Sequence, residues 1–165
     1  MIAFEDEKWV NLYPRVEAKW MKKGEQEEVL TPGYNRRTNY FITLFWPKKY
    51  GFVWNRFKRR RSREFRKHVS NVFQHVKRHG TKKLILFIDH APCHKAQASR
   101  RLIRRYEIIR PRLLPKRAPK LNPTEWIVNR PLNSYVCTNR SYSNIDDVNS
   151  RATDFLRKHR RHLCT

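Results

Sequence analysis

The sequence predicts an α/β protein, a mixed five-stranded sheet with helices on both faces. Three observations carry this reading. Leu84-Ile85-Leu86-Phe87-Ile88 is an unbroken apolar run, which fits a central strand buried on both faces. Asn39 to Trp46 and Phe52 to Phe57 are rich in aromatic and β-branched residues and flank a turn at Pro47 to Gly51, which makes them an antiparallel hairpin. Amphipathic helical stretches then alternate with the later strands, and a hairpin followed by a β-α-β-α order gives a mixed sheet covered on both sides.

Taken in order, Ile2 to Glu7 forms a short first strand ending in an acidic cluster, and Trp9 to Tyr13 continues it in extended form until Pro14. Glu28-Val29-Leu30 reads as a short strand stopped by Pro32-Gly33. The hairpin follows. After it, Lys58-Arg59-Arg60-Arg61-Ser62-Arg63 is a dense basic run, read as a solvated loop touching phosphate, with Ser62 as a helix N-cap. Phe65, Val69, Val72, Phe73 and Val76 fall on one face of a helix that ends at Gly80. The central strand 84–88 comes next. Lys95 to Tyr106 is then a basic helix with Ala98, Leu102 and Tyr106 on one face, and Ile108-Ile109 a short strand. Pro111 to Pro119 is a Pro-rich basic loop. Asn122 is a favoured N-cap and Pro123 suits a first helical position, so a helix starts there and buries Val128, Leu132, Tyr135 and Val136. Ser143-Asn144 opens the last helix, with Val148, Ala152, Phe155 and Leu156 facing inward.

The chain has 165 residues, a length that fits one domain, and is 39% hydrophobic, enough for a core. It carries 38 Lys+Arg against 14 Asp+Glu, a net charge of +24. Such an excess repels itself unless a polyanion compensates it, so nucleic acid is the expected partner. Cys93, Cys137 and Cys164 are odd in number and widely spaced, which argues against a disulfide framework and for a reducing compartment. No run approaches the ~18 apolar residues of a membrane span, and no membrane partner is expected. His90-x-x-x-His94 with Cys93 has a spacing seen in zinc sites, but Pro92 interrupts it and no nearby pair completes four ligands, so structural zinc is not expected. Trp9, Trp20, Trp46 and Trp54 offer faces on which bases can stack, but most read more simply as core and hairpin packing.

Three acids stand out against so basic a background. Asp6 ends the first strand, Asp89 ends the central strand, and Glu125 sits in the first turn of a late helix. If the two strands are neighbours, their carboxyl ends bring Asp6 and Asp89 together, at the edge where α/β sheets bind ligands. A helix packed on the sheet can present Glu125 to the same spot. Three carboxylates without a fixed Lys or Arg partner repel one another unless a cation binds, and hard oxygen ligands select Mg²⁺ or Mn²⁺. Two such ions suit phosphoryl transfer. Singly, each acid also has a plainer reading: Asp89 as a turn or cap residue, Asp6 as a solubilising charge, Glu125 as the glutamate of a capping box opened by Asn122.

These motifs resemble those of the DDE catalytic domain of the insertion-sequence 630/Tc1/mariner superfamily of transposases. Phe4-Glu5-Asp6-Glu7 is similar to the family's first motif, an apolar strand ending in Asp-Glu. Asp89-His90-Ala91-Pro92-Cys93-His94 is similar to the second, with His90 in place of the usual Asn. Leu114-Pro115-Lys116-Arg117-Ala118-Pro119-Lys120-Leu121-Asn122-Pro123-Thr124-Glu125 is similar to the third, and 35 residues lie between Asp89 and Glu125, close to the family's spacing. The resemblance implies a ribonuclease H-like fold over 1–165. It implies that Asp6, Asp89 and Glu125 are catalytic and bind two Mg²⁺ or Mn²⁺ ions. DNA cleavage at transposon ends and transfer of the freed 3′-hydroxyl to target DNA would follow. Lys95, Arg59, Arg60, Arg61, Lys116 and Arg117 are then the expected nucleic-acid contacts, with Asn122, Pro123 and His94 in support. Family members usually carry helix-turn-helix domains before the first strand. Here almost nothing precedes it, so the expectation is the second half of a split gene or a remnant, with end recognition absent or supplied by a separate DNA-binding chain. A dimer on DNA and a cytoplasmic, nucleoid-associated location are further expectations. The family pattern is broken at Val128, where Trp is frequent, and at Pro131, which lies inside the expected helix and there costs ~3 kcal/mol. Two rival readings belong to other classes: an inactive or truncated remnant that only binds DNA, and a ribonuclease H-like nuclease for RNA or hybrids.

Overall fold

The computed structural model describes residues 1–26, 28–116 and 118–164. Its five strands are β1 (Ile2–Asn11), β2 (Arg37–Trp46), β3 (Phe52–Phe57), β4 (Leu84–Ile88) and β5 (Ile109–Leu113). They form one sheet in the order β3-β2-β1-β4-β5. β1, β2 and β3 pair antiparallel, while β4 pairs parallel with both β1 and β5. The helices are α1 (Ser62–Arg78), α2 (Pro92–Lys95), α3 (Gln97–Arg105), α4 (Arg130–Cys137) and α5 (Ile145–Cys164).

Strand alternation sorts the core into two layers. Ala3, Phe41 and Phe45 face α1, whose Phe65, Val69, Val72 and Val76 are buried at the spacing the sequence predicted. On the other face, Val10, Tyr40, Ile42 and Leu44 meet Val128, Leu132 and Val136, and Val148, Ala152 and Leu156 of α5. The strand buried on both faces is β2, with every residue from Thr38 to Phe45 inaccessible, rather than the expected 84–88 run. In β4 only Leu84, Leu86 and Ile88 are buried. α4 and α5 cover β1, β2 and β3, and no β4 residue belongs to that second layer. Ile85 and Phe87 are half covered, and Phe87 stacks on Phe4 with ring centroids 5.0 Å apart. This thinly covered corner is where the carboxyl end of β4 emerges.

Several local expectations are corrected. Asp6 lies in the middle of a ten-residue β1, which runs on along β2 to Asn11 after its pairing with β4 stops at Phe4–Phe87. Residues 28–30 are not a strand. β5 continues through Pro111, which an edge strand tolerates because one side of its backbone has no partner to lose. Ser62 is the first residue of α1 rather than its cap, and its hydroxyl meets that of Ser99 at 2.9 Å. The expected 95–106 helix is split into α2 and α3, and its buried face is Ser99 and Ile103, with Ala98 exposed. Trp20 is 99% exposed and Trp46 is 45% exposed, so neither is a core residue. Gly80 follows α1 at φ +63°, the left-handed position that favours glycine after a helix.

Pro131 is accommodated by the turn before it. Residues Glu125–Asn129 form a π-helical turn, in which the Arg130 N–H reaches the Glu125 carbonyl. That widening supplies the slack that a proline lacking its own N–H requires, and α4 resumes directly after it.

Candidate active site

Residue alternation puts Asp6 on the α4/α5 face of β1, and Glu5 and Glu7 on the α1 face. The parallel register ends at Phe4–Phe87, and continuing it two residues sets Asp6 opposite Asp89. Both line a cavity of about 530 Å³, shared with Arg60, His90, Leu114, Lys116 and Asn122. The third acid comes from the helical stretch packed above. Its placement depends on Asn129, whose amide Nδ2 donates to Asp6 Oδ2 at 2.9 Å and to Glu125 Oε2 at 3.2 Å. Because the turn between Glu125 and Asn129 is π-helical, both side chains are brought to one amide and one strand. The three acids selected from the sequence therefore converge.

The start of that stretch is tied to β1 where β1 has parted from β4. Asn122 Nδ2 donates to the Glu5 carbonyl at 3.1 Å and its Oδ1 accepts the Thr124 N–H at 3.1 Å, as an N-cap does. The Thr124 hydroxyl donates to the Phe4 carbonyl at 2.8 Å. Pro123 opens the helical turn between them. Glu125 also has a cation neighbour, Arg130 Nε at 3.7 Å, on an exposed side chain. The expectation that no Arg stands near the acids is corrected on this point.

Asp89 is half exposed and held from below. Its Oδ1 accepts the Ala91 N–H at 2.7 Å and lies 2.8 Å from His94 Nδ1. The hydrogen bond from His94 is the main reason its carboxyl sits below the usual range. Asp6 behaves oppositely. Burial pushes its carboxyl up to about 7, against a hydrogen bond from the Glu7 N–H, and the charges of Glu7, Glu125 and Asp89 add to the rise. A carboxylate raised by desolvation and by other carboxylates is one whose charged form lacks compensation. An all-oxygen donor set in that condition fits a hard divalent cation.

The expected nucleic-acid contacts divide. Arg60 and Lys116 border the cavity. Arg59, Arg61 and Lys95 are exposed and do not line it. Arg117 lies outside the described residues. His94 is buried, in keeping with a supporting place, and His90 Nε2 donates to the Leu114 carbonyl, 3.0 Å away. Sequence reasoning missed Asn129 and Thr124. Asn129 lies four residues after Glu125, one helical turn on, and that spacing was the available signal.

Two carboxylates on neighbouring parallel strands, Asp6 within β1 and Asp89 just past β4, are thus joined by a third from the overlying helical stretch. The chain belongs to the DDE superfamily endonucleases, whose family model matches residues 1–149. Solved structures agree on the fold. The Mos1 mariner paired-end complex with Mn aligns with a TM-score of 0.73 at 16% identity, over 99% of this chain and 50% of that chain. The Mos1 strand transfer complex aligns at 0.68 and 16%, over 98% and 50%. The Mos1 transposase catalytic domain with Raltegravir and Mn aligns at 0.65 and 14%, over 99% and 75%. This chain thus spans about half the length of the transposase chains in the two complexes. No curated protein sequence matches it. The fold is that of a ribonuclease H-like mixed sheet, as the sequence predicted.

Proposed function

We propose that this chain is the catalytic part of a transposase, cutting DNA with divalent metal ions and transferring the freed 3′ end to a target. The observation that carries the reading is the shared amide of Asn129, which draws Glu125 to Asp6, the residue that lines a cavity with Asp89. Family membership supports the nuclease chemistry. The Mos1 complexes are described with Mn, with Mg and with a left transposon end, and they carry the analogy to mobile-element DNA.

In this reading Asp6, Asp89 and Glu125 hold Mg²⁺ or Mn²⁺. Two such ions, when bound, activate the attacking oxygen and stabilise the leaving oxygen of a phosphodiester. The chain's own residues fix the ligands. Ala91 and His94 hold Asp89 in place at Oδ1. Asn129 orients Asp6 and Glu125, and Asn122 and Thr124 set the height of the Glu125 helix above β1. Arg60 and Lys116, at the cavity rim, attract the phosphate backbone. DNA is the substrate, and transposon ends are engaged by a dimer with a separate DNA-binding chain. A cytoplasmic, nucleoid-associated location accords with the +24 charge.

Nicking of supercoiled plasmid tests this. The purified chain is expected to nick with Mg²⁺ or Mn²⁺, to stop with chelator, and to lose at least ~100-fold in rate as Asp89→Asn. Folded wild-type protein that binds DNA without nicking it would leave only the basic DNA-binding reading.

A further inference from the structure

Beneath the carboxylate site, on the opposite face of β1, a second cluster has a different chemistry. Glu5 and Glu7 point from β1 toward α2, where they meet Cys93 and His94. His94 Nε2 lies 3.0 Å from Glu5 Oε2 and 3.4 Å from Glu7 Oε1, and Cys93 Sγ lies 3.1 Å from Glu7 Oε1. The side chains of Glu5, Glu7 and His94 are at most 1% exposed, and the Phe65 ring closes the pocket 4.4 Å from the imidazole. Despite these short distances, His94 Nε2 and both Glu5 oxygens make no hydrogen bond of acceptable geometry among the described residues. The ring N–H is aligned on neither carboxylate.

We propose that Glu5, Glu7, Cys93 and His94 form a buried zinc site, separate from the hard-cation site on the other face of the strand. The donor atoms of Glu7, Cys93 and His94 already lie within 4.8 Å of one another. Around a tetrahedral zinc with bonds of roughly 2.0–2.3 Å, ligand atoms stand roughly 3.3–3.5 Å apart, close to the spacings in this cluster. One thiolate, one imidazole and two carboxylates suit Zn²⁺, whereas Mg²⁺ takes no thiolate. Binding displaces the thiol proton and any proton on Nε2. Nδ1 keeps its hydrogen toward Asp89, donating to its backbone carbonyl at 3.2 Å with Oδ1 2.8 Å away, so Asp89 orients the metal-bound imidazole. The pocket is closed, so the ion enters as the chain folds. The sequence hid this site because it paired Cys93 and His94 with His90, whose ring is turned to the Leu114 carbonyl, while two of the four ligands stand more than 80 residues upstream.

The test is metal analysis of the whole chain. Purified without added metal, it is expected to hold about one equivalent of zinc, and to keep it when Asp6→Asn and Glu125→Gln dismantle the carboxylate site. Folding with Co²⁺ in place of zinc should give a thiolate-to-cobalt charge-transfer absorption that Cys93→Ser abolishes. Should Cys93→Ser not fold, the double variant Cys137→Ser, Cys164→Ser leaves Cys93 as the sole thiol and must retain the absorption. Zinc below about a tenth of an equivalent together with no cobalt band overturns the proposal. So does a band that survives Cys93→Ser, or zinc that is lost from the Asp6→Asn, Glu125→Gln protein.

Discussion

Asn129 is the side chain on which the geometry of two acids depends. Its buried amide donates to Asp6 and Glu125 at once, and no other described side chain touches both through hydrogen bonds. Asn129→Ala removes both bonds and leaves two facing carboxylates to repel. The expected result is a 10- to 100-fold loss, on the order seen when groups behind metal ligands are removed, in Mn²⁺ affinity and nicking rate, with unchanged circular dichroism. His68 makes a different demand. It is fully buried between Thr43 Oγ1 at 2.7 Å and Asn55 Oδ1 at 2.8 Å, so a neutral ring donates from Nδ1 and accepts at Nε2. Burial lowers its pKa to about 3, with the nearby His94 adding to the fall. The unfolded ring takes up a proton below about 6.5, while the folded ring resists until about 3. Stability from this group is complete above the unfolded value and is lost as pH falls through that window. By about pH 5 the loss is about 2 kcal/mol. Urea unfolding at about pH 7.5 and pH 5 should show this increment in the wild type, reduced by about that amount in His68→Gln.

At the scale of elements, the site rests on a helix start pinned to a strand that has left its partner. Asn122 caps the turn and reaches the Glu5 carbonyl, and Thr124 reaches the Phe4 carbonyl. Asn122→Ala is expected to cost about 1–2 kcal/mol in urea unfolding and to reduce nicking by more than that destabilisation accounts for, since Glu125 is then no longer aimed. Rescue of nicking by Asn122→Asp, which keeps the cap but not the donor to Glu5, would show that the cap alone positions the helix. The sequence made this start legible through Asn122-Pro123 because capping is local chemistry. It did not reveal the π turn over 125–129, because the widening answers Pro131 and the packing of Asn129 together, and no periodicity marks it. The length of β1 was hidden for a similar reason. Asp6-Glu7-Lys8 reads as a polar strand end, yet β2 continues to pair with it for five residues beyond Asp6.

For the molecule as a whole, the mixed sheet and its cover of helices on both faces were legible from apolar runs, the hairpin and the 3.6-residue spacing of Phe65 to Val76, while the order of strands across the sheet came only with the structure. The three acids stood out against a basic chain; Asp89 does follow a strand end and Glu125 a helix cap, whereas Asp6 sits within its strand. Which strand is doubly buried was not legible, since Leu84–Ile88 is the more apolar run but α4 and α5 cover β2 instead. That choice leaves the β4 corner thinly roofed, and there Asp6 and Asp89 line a cavity beside Arg60 and Lys116. The central claim is that Asp6, Asp89 and Glu125 act as one metal centre. Titration of Mn²⁺ into the chain, followed by loss of the free-ion paramagnetic resonance signal, tests it most directly. Uptake of up to about two equivalents, reduced in each of Asp6→Asn, Asp89→Asn and Glu125→Gln, is the expected result. Wild-type protein that takes up no Mn²⁺, or uptake that all three substitutions leave intact, would contradict it.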